Sequence, residues 1–319
     1  MMLVPTIDIS NPSATELSEL DQACRDHGFF LLAGHGLDTL IDRMWSETER
    51  FFISDPRVKE TIRRDADNPL GYYDRELTKR KRDNKEVFDY IDPQVGDGRG
   101  LNRWPEDLAF RETMTEFFDR AASLATRTLD LIVAAIGFDD TATAREIGLV
   151  NDRTTSTVRL NHYPVGDAVR ASDRRDLAPL GETALGYHTD PGVLTLLLQD
   201  NTGGLQAESI KHGWIDVPPT PGTIVVNLGD VMQVWTNDRY RAAVHRVVPM
   251  TQQSRYSIPL FSNPPRDSII APLQAMLDHE SARARYEAFT WKEYIGGRMS
   301  DNFADYGAAD IQITDFAIA

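Results

Sequence analysis

Cysteine is almost absent: the 319 residues contain one, Cys24. One thiol cannot close an internal disulfide, and it excludes zinc or iron–sulfur sites built on several cysteines. Basic residues are also short. Thirty-four Lys and Arg face 49 Asp and Glu, for a net charge of −15. A surface this acidic repels phosphate backbones and anionic lipid, so neither nucleic acid nor membrane is an expected partner. No apolar run approaches a membrane span. The opening "MMLVPTIDIS" lacks the basic flank and apolar core of a signal peptide. A reducing, cytoplasmic setting is the expectation.

What remains is an ordinary soluble mix, 41% hydrophobic and 26% charged. "VPTIDIS" and "FFLLAGHG" read as strands. "NPSATELSELDQACRDHG" reads as a helix capped by Ser13 or Thr15 and ended by Gly28, and "LDTLIDRMWSETERFF" as another. Residues 65–104 are polar, and the basic run in "ELTKRKRDNKEVFDYIDP" reads as a solvated face. The longest helical pattern, "LAFRETMTEFFDRAASLATRTLDLIVAAIGF", stops at Gly137. Beyond residue 150 about seven short strands follow, each bounded by Gly, Pro, Asn or Asp. That pattern predicts an all-β barrel or jelly roll. "APLQAMLDHESARARYEAFTWKEYIGG" then returns to helix. The expected architecture is mainly β with flanking α. It comprises an N-terminal α/β region (1–150), a β core (151–266) and a helical tail (267–319), packed as one unit.

Within "ALGYHTDPGVLTLLLQD", His188 and Asp190 stand at i and i+2. On an extended segment both leave the same face. His245 in "AAVHRVV" lies on a distant strand that a jelly roll can bring alongside. Two histidines and one carboxylate on one face form the triad of ferrous non-haem oxygenases, with positions left open for other ligands. An isolated His-x-Asp also arises by chance, in a turn with two polar residues. Arg255 and Ser257 in "SRYSIPL" repeat the spacing on the next strand. A guanidinium and a hydroxyl together can grip a carboxylate; an internal ion pair is the alternative. Asn161 and Tyr163 in "VRLNHYP" repeat it again, where ordinary interior polarity is the simpler account.

These segments, with "GWIDVPPTPGTIVVNLGDVMQVWTNDRYRAAVHRV", resemble the iron(II)/2-oxoglutarate-dependent dioxygenases, in particular the isopenicillin N synthase-like group. The N-terminal "VPTIDIS" and "DHGFFLLAGHG" are similar to that group's opening segment, so the resemblance covers nearly the whole chain. It implies a double-stranded β-helix core. It assigns Fe(II) to His188, Asp190 and His245, and the distal carboxylate of 2-oxoglutarate to Arg255 and Ser257. Asn161 and Tyr163 match positions that help hold this cosubstrate. His162 departs from the tyrosine found in many members. His27 and His35 match a segment without metal duty. Glu86, Phe88 and Tyr90 fall where substrate often borders the site, with packing the expected role of Phe88. The long charged loop "VGDAVRASDRRDLAPLGETALG" either shapes the entrance or is a solvated insertion.

The implied activity is oxidation, most often hydroxylation, of a small organic metabolite, with O2 as second cosubstrate and succinate and CO2 released. Two alternatives stand at this point. One is a 2-oxoglutarate-independent iron oxidase of the same family, and the other a non-catalytic barrel that holds a small acid.

Overall fold

The computed structural model describes residues 4–78, 80–138, 152–299 and 311–318. In chain order its strands begin with β1 (Thr6–Asp8), β2 (Phe29–Ala33) and β3 (Gly71–Tyr73). A small hairpin of β4 (Leu77–Thr78) and β5 (Lys81–Arg82) and then β6 (Glu86–Ile91) complete the N-terminal set. The core strands are β7 (Thr157–Tyr163), β8 (Leu185–His188), β9 (Leu194–Gln199), β10 (Leu205–Ser209) and β11 (Gly213–Asp216). They continue with β12 (Ile224–Leu228), β13 (His245–Val247) and β14 (Arg255–Ser262). A short pair, β15 (Ile269–Ile270) and β16 (Phe289–Thr290), lies near the C-terminus.

Eight strands form one sheet in the order β1-β2-β12-β9-β14-β7-β6-β3, and four form a second, β11-β10-β13-β8. From β7 to β14 the chain crosses repeatedly between the two sheets, with only β10 and β11 consecutive in one sheet, the jelly-roll pattern. Strands from the first 150 residues extend the large sheet at both edges.

Period-two alternation explains how this sheet gains a greasy side and a chemical side. Val158 and Leu160 on β7, Leu194, Leu196 and Leu198 on β9, and Ile258 and Leu260 on β14 join the main core. The helix Leu108–Ile136 packs on that side, against β9 and β14. It presents Phe110, Met114, Phe117, Phe118, Ala121, Ala125, Leu129, Ile132 and Val133 at three- and four-residue steps. Asp107 caps its start by accepting from the Phe110 amide at 3.1 Å. Gly137, at φ 99°, closes it in the left-handed conformation that costs glycine least. The intervening residues, Asn161, Tyr163, Thr195, Gln199, Arg255 and Ser257, therefore point the other way, toward the small sheet.

The first helix spans Ala14–Asp26, with Ser13 as its cap. Phe88 and Tyr90 are fully buried core residues, which bears out packing for Phe88. Two local expectations need correction. The tail is not one helix: Gln274–Glu280 ends at Ser281, which takes a left-handed φ of 50°. Pairing of β16 with β15 then interrupts the chain before the helix Trp291–Met299. The basic run is not simply a solvated face either. Arg82 and Lys85 are both 4% exposed; Arg82 meets Asp167 from a later loop, and Lys85 meets Glu76 and Asp83 of the run itself. No helix of the described residues is long and apolar enough to cross a membrane.

Candidate functional site

Strands β8 and β13 are antiparallel neighbours with His188 directly opposite His245. Their imidazole centroids lie 4.3 Å apart. Each ring donates its Nδ1 hydrogen to a backbone carbonyl two residues earlier, His188 to Gly186 at 2.8 Å and His245 to Ala243 at 3.0 Å. That bond engages Nδ1 and turns each Nε2 toward the site. Both Nε2 atoms aim at Asp190 Oδ1, at 3.6 Å from His188 and 3.7 Å from His245. Burial, and then the neighbouring His245, push the His188 pKa down to about 3, so the ring stays neutral. Burial acts to raise the Asp190 carboxyl, but His245, His188, Thr195 and Asn227 outweigh it and hold the pKa below its usual value. The chemistry is that of a ligand set: two imidazoles and one carboxylate. Their ligand atoms all lie within 4.8 Å of one another, and they form the one such group among the described residues.

The backbone around Asp190 is clamped. The Asp190 carbonyl accepts from the Asp230 amide at 2.8 Å, and Gly192 O accepts from Val231 N at 3.1 Å. A Cβ on Gly229 would stand 2.2 Å from Gly192 O, so only glycine permits this approach. Arg298, in the C-terminal helix, donates to Thr189 O at 2.7 Å.

Arg255 begins β14 and pairs in register with Tyr163 of β7, while Ser257 pairs with both Asn161 and Gln199. Arg255 is 1% exposed, and none of its three guanidinium nitrogens finds a hydrogen-bond acceptor among the described residues. Its guanidinium lies over the Tyr163 ring, 5.1 Å from the centroid. Asn161 Nδ2 donates to Ser257 Oγ at 3.3 Å, and Asn161 Oδ1 and Gln199 Oε1 are left without partners. Tyr163 packs with Val247 and Ala184, at the ends of the strands that carry the histidines. A buried cation beside unsatisfied amides and a hydroxyl has the composition of a carboxylate receptor.

Sequence reasoning missed Gln199, Thr195 and Asn227, because none stands two residues from another functional residue. His162 lies on the opposite side of β7. Its Nδ1 is 2.7 Å from Glu86 Oε1, and its ring stacks on Tyr256 at 4.7 Å. Glu86 also accepts from Lys59 at 2.8 Å and Tyr72 at 2.7 Å, so it is a structural hub. His27 bonds Ser209 Oγ at 2.9 Å, and His35 Nδ1 accepts from the Leu37 amide at 3.0 Å. Neither belongs to the metal-ligand group.

The charged loop after β7 is tied to the β4–β5 hairpin by the two-pronged Arg82–Asp167 pair, 2.6 Å on each side. Beneath that hairpin Glu76 meets three cations, Arg64 at 2.8 Å, Lys85 at 2.9 Å and Arg159 at 2.9 Å. Burial acts to raise the Glu76 pKa, but Arg159, Lys85 and Arg64 outweigh it and hold the carboxyl well below its ordinary range. A depressed folded-state pKa means that the unfolded chain binds the extra proton. The stabilisation is therefore complete above about pH 5 and is lost as pH falls through about 4 and below. Glu76→Gln should cost about 3–5 kcal/mol at pH 7, since it strands buried cations. Urea midpoints for the two proteins should converge as the pH is lowered from 6 toward 3. A gap that stays constant across that range would show that Glu76 stabilises by packing alone.

Comparison with known proteins agrees with this geometry. Residues 154–264 match the 2OG-Fe(II) oxygenase superfamily, and residues 4–107 match the N-terminal region described as non-haem dioxygenase in morphine synthesis. Gibberellin 2-beta-dioxygenase 4 of Arabidopsis thaliana is 31% identical over 91% of this chain and 89% of its own. A full-length Neurospora crassa protein, solved in complex with alpha-KG (2-oxoglutarate), superposes with a TM-score of 0.77 at 28% identity, covering 93% of this chain and 95% of that one. JOX2, solved with 2OG, Fe and JA, gives 0.76 at 26% identity over 92% and 83%. The whole-length likeness and the convergent His-Asp-His group lead to one conclusion: the chain belongs to the 2OG-Fe(II) oxygenase superfamily and is a non-haem Fe(II)/2-oxoglutarate-dependent dioxygenase.

Proposed function

We propose that the protein hydroxylates a C–H bond of a small organic molecule. One oxygen atom of O2 enters the product, and the other enters the succinate formed, with CO2, from 2-oxoglutarate. In this reading His188, Asp190 and His245 hold Fe(II), which supplies the oxygen chemistry when bound. Arg255 and Ser257 take the distal carboxylate of 2-oxoglutarate, with Asn161 and Tyr163 beside it. The protein's own task is placement. A buried guanidinium fixes one end of the cosubstrate, and two imidazoles and a carboxylate face the other.

The observation that carries this reading is the pairing of an unneutralised, buried Arg255 with a preformed His-Asp-His group inside the same barrel. A simple acid-binding barrel has no need of the second, and a bare metal site has no need of the first. The names of similar proteins support a small-molecule substrate: gibberellin for one relative, JA for the JOX2 structure. The test is succinate release from 2-oxoglutarate across a panel of small organic acids and phenolics, with O2 and Fe(II) supplied. Succinate formed in step with loss of one panel member, plus a product heavier by one oxygen atom, supports hydroxylation. Substrate loss that needs O2 but forms no succinate overturns it. A product lighter by two hydrogens replaces hydroxylation with desaturation.

A further inference from the structure

Asp190 has two carboxylate oxygens, and the structure treats them differently. Oδ1 faces both histidine Nε2 atoms. Oδ2 accepts two hydrogen bonds, from Thr195 Oγ1 at 2.5 Å and from Asn227 Nδ2 at 2.8 Å. The two donors come from different strands. Thr195 on β9 and Asn227 on β12 are direct partners in the antiparallel register, so their side chains leave the sheet together on its inner face. All three residues are at least nine-tenths buried, so water does not compete for Oδ2 and both bonds act in a low-dielectric setting.

We infer that Thr195 and Asn227 are positioning residues that restrict Asp190 to one metal-facing oxygen. This rests on the reading of His188, Asp190 and His245 as the iron ligands. The reason such a device matters is a count of positions. Three single-point protein ligands on an octahedral ion leave three sites open. A keto acid that chelates takes two of them, and O2 needs the last. A carboxylate free to turn could bring both oxygens to the metal and take a fourth position at the expense of the cosubstrate. With Oδ2 held by two donors, that turn would break both bonds and leave a buried hydroxyl and a buried amide unsatisfied. The donor pair thus protects the open face without touching metal, cosubstrate or substrate.

The test separates denticity from plain support of the ligand. Thr195→Val, Asn227→Leu and the double variant remove the donors at near-constant volume, and Thr195→Ser restores one. Anaerobic Fe(II) protein is titrated with 2-oxoglutarate, following the visible charge-transfer band, and Fe(II) affinity is measured separately by chelator competition. Expected is a 2-oxoglutarate affinity at least tenfold weaker in the double variant and about threefold weaker in each single variant. Fe(II) affinity should stay within about threefold throughout, and Thr195→Ser should behave as wild type. If the double variant does not fold, the single variants decide.

Unchanged 2-oxoglutarate affinity in folded variants overturns the proposal. So does an Fe(II) affinity that falls in parallel, which would mean that the pair merely holds Asp190 in place. Failure of the underlying reading looks different: wild-type protein itself gives no band with Fe(II) and 2-oxoglutarate.

Discussion

His245→Ala is expected to abolish turnover and to weaken Fe(II) binding by at least about a hundredfold, while leaving the metal-free protein as stable as wild type to within about 1 kcal/mol. The two halves of this expectation have separate origins. His245 sits at the start of a three-residue strand, and its ring donates to Ala243 O. Its other ring nitrogen faces Asp190 and the neighbouring imidazole. Little folding energy is therefore at stake. The metal site, by contrast, loses one of three ligands. A metal present at a hundred times its Kd stabilises the native state by about 2.7 kcal/mol, which raises the thermal midpoint of the wild type by several degrees. The variant should show the same midpoint with and without metal. Retained turnover, or a metal-induced shift equal to that of wild type, would remove His245 from the ligand set. His188→Ala should behave the same way, since its ring is held by the matching bond to Gly186.

How much of this was open to a reader of the sequence depends on separation along the chain. His188 and Asp190 are legible because a strand places i and i+2 on one face, and Arg255 with Ser257 for the same reason. His245 lies 57 residues beyond His188, and only the strand pattern with the family resemblance brings it in. Thr195 and Asn227 meet through the β9–β12 register, which depends on how two distant strands pair within the large sheet and leaves no local mark. The basic run misled for a similar reason. Its burial depends on Asp167, 85 residues beyond Arg82, and on Glu76 within the run itself, and charge alone does not announce which carboxylate each cation will meet. The break in the tail is likewise tertiary: the pairing of Phe289 with Ile270 prevails over a helical pattern that continues through it.

Arg255→Met is expected to do two things of opposite sign: to make the unliganded protein more stable, and to remove most of its affinity for 2-oxoglutarate. Large buried side chains usually destabilise when replaced, so the first expectation needs its reason. A guanidinium stays charged at any physiological pH, and here it is 1% exposed with no acceptor for any of its three nitrogens among the described residues. Its stacking on Tyr163 is worth about 2 kcal/mol when desolvated. An uncompensated buried charge costs several kcal/mol, and the difference is strain that a flexible apolar side chain of similar length would relieve. Urea unfolding should show a gain of about 1–3 kcal/mol for the metal-free variant. The same charge, once it meets a carboxylate, forms two parallel charge-assisted hydrogen bonds. Removing one partner of such a buried pair costs about 3–5 kcal/mol, or roughly a hundred- to several-thousandfold in Kd. Ser257→Ala deletes a single hydrogen bond to that carboxylate and should cost about 1.5–3 kcal/mol, roughly ten- to a hundredfold. Arg255→Lys keeps the charge but loses the fork, and should recover only part of the affinity. If Arg255→Met instead destabilises the protein by about 3–5 kcal/mol, the arginine serves an internal ion pair. If it binds 2-oxoglutarate within about threefold of wild type, the cosubstrate's far carboxylate is held elsewhere.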